Sequence, residues 1–280
     1  MRKRLSTTFV FIFIAVLVSS FVLSAAKGSG EPNTVWSRTY GGVNSDGFFS
    51  LVATSDGGYA VAGSTGSFGL GIWLVKTDQY GNTEWNKTYG ETGVVRFRSL
   101  VATLDGGYAI AGTTSSFGAG GYDWWLIKTD KYGNPVWNQT YGGRKSEQLP
   151  SLIVASDSGY ALAGTTTSFG AGDFDWWLVK TDKYGNMLWN QTYGGTGEDD
   201  ASSLVLASDG GYVIAGSTGS FARSNEGWLV KTDDHGSTIP EFPSSLIPAL
   251  FMVATLLAAI VSKIRFSPYR LSRNKQQLTE

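Results

Sequence analysis

The chain has 280 residues, 42% apolar and 16% charged, with no Cys and a single His. That composition excludes a disordered polymer and a disulfide-stapled miniprotein. Thirteen Lys and Arg face 21 Asp and Glu between residues 31 and 240, a balance of −8, which argues against a nucleic-acid-binding surface, because phosphate neutralisation needs clustered cations. The 37 Gly and 14% aromatic residues against 7 Pro suit a turn-rich β protein, since Gly and aromatic side chains are poor helix-interior residues.

Arg2, Lys3 and Arg4 precede an apolar run from Phe9 to Leu23 and then Ser24-Ala25-Ala26. This is the charge, apolar core and small-residue exit of a secretory signal peptide, expected over residues 1–26. At the other end, residues 243–262 are uncharged and mostly apolar, about the roughly 20 residues needed to cross a bilayer as a helix. Lys263, Arg265, Arg270, Arg273 and Lys275 follow, and by the positive-inside rule they hold a basic tail, residues 263–280, in the cytoplasm. The middle is then displayed outside, tethered to membrane lipid through a short linker over 237–245. The linker stretch Ile239-Pro240-Glu241-Phe242-Pro243 resembles the Pro-Glu-Phe signatures near the C-termini of archaeal surface proteins, and the resemblance implies a surface anchor.

Between these ends one unit is written four times. Trp36, Trp85, Trp137 and Trp189 each open a W-[NS]-x-T-Y-G phrase, at spacings of 49, 52 and 52. Each is followed by a D-[GS]-G turn at Asp56, Asp105, Asp157 or Asp209, a Gly-rich loop containing Ser-Phe, and a W-L-[VI]-K-T-D phrase. Two hairpins per repeat, turning on D-G-G and on D-x-Y-G-N, predict four antiparallel strands per repeat, the unit of a β-propeller blade. The array opens with an orphan strand at Trp36 and ends without a final Trp strand. The expected fold is therefore an all-β, four-bladed β-propeller over residues 35–236, closed by its own N-terminal strand. The repeats would lie near 36–84, 85–136, 137–188 and 189–236.

The phrases D-G-G-Y-[AV]-[IVL]-A-G and W-L-V-K-T-D-x-x-G-N-x-x-W resemble the propeller repeats called delta-60 repeats of exported bacterial and archaeal proteins, and more distantly kelch repeats. The resemblance implies a propeller and carries no particular function.

The residues that could do chemistry are few. His235 stands in a turn, and a lone imidazole without a thiol builds neither a nucleophilic triad nor a zinc site. Glu198-Asp199-Asp200 and Asp173 with Asp175 are the densest acidic stretches; they suit a solvated loop first, then a calcium site of hard oxygen ligands, and last an acid/base pair. The Asp residues that recur in every repeat read as turn chemistry. Trp73, Trp125, Trp177 and Trp228 read as core between blades. The preceding residue differs from repeat to repeat, and alternation along a strand puts it on the other sheet face, so Trp124 and Trp176 are candidate ligand contacts. In an up-and-down blade the conserved turns share one end of the ring, expected to be purely structural. The variable loops share the other, expected to bind. Phe117 and Phe169 lie in those loops, either touching a ligand or pinning the loops down. Asn86, Asn138 and Asn190 each start an N-x-T sequon, permitting glycosylation in an exported chain.

With no catalytic constellation and no cofactor motif, the sequence suggests a non-enzymatic module binding extracellular protein or glycan. The alternatives are a surface hydrolase or lyase using loop carboxylates, and a structural component of the cell envelope.

Overall fold

The computed structural model describes residues 35–90, 95–221 and 224–238. The expected signal peptide, membrane span and basic tail, and the linker beyond residue 238, lie outside the described residues. Among the described residues there is no helix, and hence none long and apolar enough to cross a membrane.

Fifteen strands form four antiparallel sheets. The first holds β1 (Asp46–Ala53), β2 (Tyr59–Thr65), β3 (Gly71–Thr77) and β4 (Thr83–Tyr89). The second holds β5 (Val95–Ala102), β6 (Tyr108–Thr114), β7 (Asp123–Thr129) and β8 (Pro135–Tyr141). The third holds β9 (Glu147–Val154), β10 (Tyr160–Thr166), β11 (Asp175–Thr181) and β12 (Met187–Tyr193). The last has three strands: β13 (Asp199–Leu206), β14 (Tyr212–Thr218) and β15 (Glu226–Lys231). Every sheet is an up-and-down meander, so the conserved turns do share one end.

The turns form for the reasons their residues dictate. Asp78 Oδ1 accepts the Tyr80 and Asn82 amides at 2.8 and 2.9 Å, and Asp130 and Asp182 repeat this. A carboxylate that accepts its own turn's N–H groups replaces the water those groups would otherwise need. In the D-[GS]-G turns the Asp accepts the amide two residues on and also meets a Lys from β3 or its equivalent. Lys76, Lys128, Lys180 and Lys231 reach Asp56, Asp105, Asp157 and Asp209 at 2.7–2.9 Å. Each ammonium also donates to the following Thr carbonyl, so the three buried lysines, Lys76, Lys128 and Lys180, are paired as burial of a charge requires.

Three apolar clusters join the four sheets in sequence. Ala60, Ile72 and Leu74 of the first sheet pack on Leu100, Tyr108 and Trp125 of the second. Trp124 and Leu126 pack on Leu152, Leu162 and Trp177 of the third, and Trp176 and Leu178 pack on Leu204, Tyr212 and Ile214 of the last. Both faces of an inner sheet are thus interfaces. A Tyr bolt ties each outer strand to the next sheet: Tyr89, Tyr141 and Tyr193 donate to the carbonyls of Gly133, Gly185 and Gly236 at 2.5–2.7 Å.

The closed ring expected from the sequence is not formed by the described residues, and its closing strand is corrected. Among the described residues no fourth cluster joins the last sheet to the first. Leu51, whose repeat-mates Leu100, Leu152 and Leu204 are 3–4% exposed, is 61% exposed; Leu229 is 69% exposed where Leu74, Leu126 and Leu178 are fully buried. Residues 36–40 form no strand. Trp36 lies against Tyr59, ring centroids 6.1 Å apart, and Tyr40 bonds to the Gly81 carbonyl, so this segment caps the first sheet as β4 caps the second. The slot beside β15 is instead begun by the chain itself, through a bridge from Thr232 to Thr238. That is the register in which Thr77 meets Thr83 at the start of β4.

Candidate functional site

Trp124 and Trp176 do not reach a ligand surface: both are 0% exposed. Trp124 lies 4.7 Å from Trp177 between ring centroids, and Trp176 lies 4.3 Å from Trp228. Their indole N–H groups donate across the interface to the Gln148 and Ser217 carbonyls. Strand alternation does put them on the opposite face from Trp125 and Trp177, but the next sheet covers that face. Phe117 and Phe169 rest on Trp125 and Trp177 of their own sheets at 5.4 and 5.1 Å. Phe68 and Phe221 do the same to Trp73 and Trp228, so the rings pin their loops.

The acidic stretch 198–200 is not a cluster in space. Glu198 is exposed, Asp199 is buried, and Asp200 accepts from Thr165 of the neighbouring sheet at 3.2 Å. Asp173 is exposed and Asp175 buried. Among the described residues, the one group of three close metal-ligating side chains is Asp233, Asp234 and His235. It is a turn whose Asp233 carboxylate is already committed to the His235 and Ser237 amides.

A pattern missed in the sequence governs the loop end. The first residues of β1, β5, β9 and β13 are Asp46, Val95, Glu147 and Asp199. Each carboxylate accepts from the Gly that precedes its strand and from a hydroxyl at or just past the end of the next strand: Asp46 from Gly42 N and Ser67 Oγ, Glu147 from Gly143 N and Thr166 Oγ1, Asp199 from Gly195 N and Ser220 Oγ. Where Val95 replaces the carboxylate, the matching Ser116 hydroxyl is buried without a partner. The first residues of β3, β7, β11 and β15 are Gly71, Asp123, Asp175 and Glu226. Asp123 Oδ2 accepts the Ala119 and Gly120 amides, and Asp175 Oδ2 that of Gly172. Burial pushes the Asp123 carboxyl above the usual aspartate range, and burial, with Asp123's charge adding, pushes Glu147 up. Asp175 is raised by burial and by the Asp199 charge. Asp46, free of such a neighbour, is held well below the usual range by the Ser67 and Thr65 hydroxyls.

The turn end, expected to be purely structural, carries two grooves. One, of about 460 Å³, runs between the first and second sheets past Asp56, Lys76, Glu84, Trp85, Tyr108 and Tyr132. The other, about 380 Å³, is its counterpart one repeat on, past Asp105, Lys128, Trp137, Tyr160, Lys183 and Tyr184. In each, a Trp meets the next sheet's Tyr edge-on at 5.7–5.9 Å. Tyr132 and Tyr184 stand 58% and 59% exposed, each under a Lys ammonium at 4.9–5.0 Å. The grooves differ where Ser55, Ala102 and Gly106 of the first become Leu104, Val154 and Ser158 of the second, and at one charged position. Glu84 bonds Lys76 at 2.9 Å in the first, whereas Val136 takes its place in the second.

Asn86, Asn138 and Asn190 lie exposed on the outermost strands. Their Oδ1 atoms accept the indole N–H of Trp73, Trp125 and Trp177 at 3.0–3.4 Å. At Asn190 the amide nitrogen also donates to Met187 Sδ at 3.5 Å.

No family model matches the chain. A stretch of 120 residues is 28% identical to the regulatory protein FlaEY of Caulobacter vibrioides, covering 39% of this chain and 13% of that protein. Among solved structures, a Bacteroides caccae protein of unknown function is similar over 71% of this chain and 61% of its own, at 10% identity and a TM-score of 0.44. A protein assigned as an exo-beta-1,3-galactanase of Bifidobacterium bifidum is similar over 69% of this chain and 70% of its own, at 14% identity and a TM-score of 0.44. An endo-1,4-beta-xylanase of Bacteroides thetaiotaomicron is similar over 72% of this chain and 77% of its own, at 14% and 0.41. Two of these three are named as glycoside hydrolases, and this corrects the expectation of a non-enzyme: the absence of a catalytic constellation from the sequence does not exclude activity. Likeness at these scores carries no reaction over to this chain.

Proposed function

We propose that the chain displays its stack of sheets outside the cell and binds an extended glycan along the turn end. The observation that carries this is the pair of equivalent grooves, one repeat apart, each flanked by a Trp and a Tyr that faces solvent. Both lie within the roughly 300–1,000 Å³ of small-ligand sites. An aromatic face packs against the C–H face of a sugar ring, while the Lys and Asp beside it satisfy hydroxyl groups. A site that recurs at a fixed interval suits a ligand that repeats.

The segments expected to export and anchor the chain, at residues 1–26 and 243–262, support display with the tail inside. The exposed sequons support glycosylation of the outer strands. The likeness to delta-60 repeats and to archaeal surface anchors supports an exported protein.

The full chain in detergent, screened against an oligosaccharide array, should bind, and Tyr132→Ala with Tyr184→Ala should weaken the bound glycan at least ~10-fold, about 1.4 kcal/mol. Both side chains are exposed, so the fold should persist by circular dichroism. Unchanged affinity would remove the grooves from the reading, and an array with no binder would remove the reading.

A further inference from the structure

Two pairs of buried carboxylates face each other across successive sheet interfaces, and among the described residues none of the four is ion-paired. A side chain at Gly142 would strike Asp123 Oδ1 and Glu147 Oε2 together, so the two oxygens converge on one point next to that glycine. At Gly194 the same is true of Asp175 Oδ1 and Asp199 Oδ2. Asp123 is 1% exposed, and Glu147 and Asp199 are 0%; Asp123 Oδ1, the converging oxygen of its carboxylate, is buried without a hydrogen-bond partner, and so is Asp199 Oδ1, the oxygen beside the converging Oδ2. Two like charges in a low dielectric repel strongly, and buried charges persist only when paired or ligating a metal. The loop amides occupy the opposite oxygens of Asp123 and Asp175 and leave their converging oxygens open, while Glu147 Oε2 and Asp199 Oδ2 would be shared between an ion and the Gly143, Gly195 and Ser220 donors. The carboxylates also come and go together. At the interface between the first and second sheets both positions are apolar, Gly71 and Val95, as expected if the members of each pair serve one shared ligand.

We propose that Asp123 with Glu147, and Asp175 with Asp199, each hold a divalent cation of the calcium class between neighbouring sheets. Carboxylate and carbonyl oxygens are the donors such hard cations take, and a site with two carboxylates matches the weak, roughly 10⁻⁴–10⁻³ M binding of extracellular modules. The ion would clamp the loop end, and the second, third and last sheets would be joined through it. This rests on the loop-end geometry and is independent of the turn-end grooves.

The test uses the full chain in detergent, stripped with a chelator and titrated with Ca²⁺ by calorimetry and thermal unfolding. Two ions should bind, and the unfolding midpoint should rise by about 5 °C or more in millimolar Ca²⁺. Asp123→Asn and Asp175→Asn should each remove one ion and about half of the rise, and the double variant should remove both. The wild-type comparison with and without chelator needs no variant and guards against misfolding. A midpoint indifferent to Ca²⁺, or a rise that survives in the double variant, would overturn the proposal. So would a chelated chain whose carboxylate pairs are fully satisfied by one shared proton and do not respond to Ca²⁺.

Discussion

The inner and terminal sheets are built from nearly the same words and meet different fates. In the second and third sheets both faces are covered, and the middle and third strands are buried from end to end. In the last sheet, only Val230 of β15 is buried and Glu226, Gly227 and Leu229 are exposed, because no following sheet covers it and no complete fourth strand flanks it. A residue's sequence context fixes which way it points, and the neighbour decides whether it is buried.

The sharpest way to break this comparison is to shorten the same leucine in both places. Leu126→Ala should cost about 2–5 kcal/mol in denaturant unfolding, whereas its repeat-mate Leu229→Ala should cost about 0.5 kcal/mol or less. An equal cost would mean that the last face is covered in solution. Next in size, Tyr141→Phe should cost about 1 kcal/mol by removing a buried bond to the Gly185 carbonyl; Tyr40→Phe, at the half-buried outer bolt, should cost less. Ser158 holds φ +65° where the other repeats have Gly57, Gly106 and Gly210. Ser158→Gly should therefore stabilise by about 1 kcal/mol, the strain that a side chain carries in that region.

The smallest effect is one of pH, read from the urea midpoint of the chelated chain. Asp46, with its lowered pKa, adds stability above its ordinary value of 3.8 that is lost as pH falls. Asp123 and Glu147 work in reverse. Their raised values mean that the protonated forms favour the folded state, so stability is lost as pH climbs from 3.8 and 4.5 through the raised values. Asp123→Asn should flatten the second slope and leave the first.

Much of the fold was legible because turns are local. Asp78 and Asp130 bond within four residues of themselves, and a period near 50 announces the sheets. The site was less legible. Alternation placed Trp124 opposite Trp125 but could not say that a third sheet would cover it. The pairing of Asp123 with Glu147 joins the starts of strands two apart, visible only when repeats are laid over one another column by column. Closure depended on the edge of β15, where Thr238 begins the slot that the Trp36 strand was expected to fill from afar.

The three-stranded last sheet also sets how the array gives way under load. Tension entering through residues beyond Thr238 meets first the sheet with the fewest partners, held to its neighbour on one side only. That sheet would peel while the three before it stay folded, so a pull from the C-terminal side is absorbed one unit at a time, beginning with the unit nearest its source.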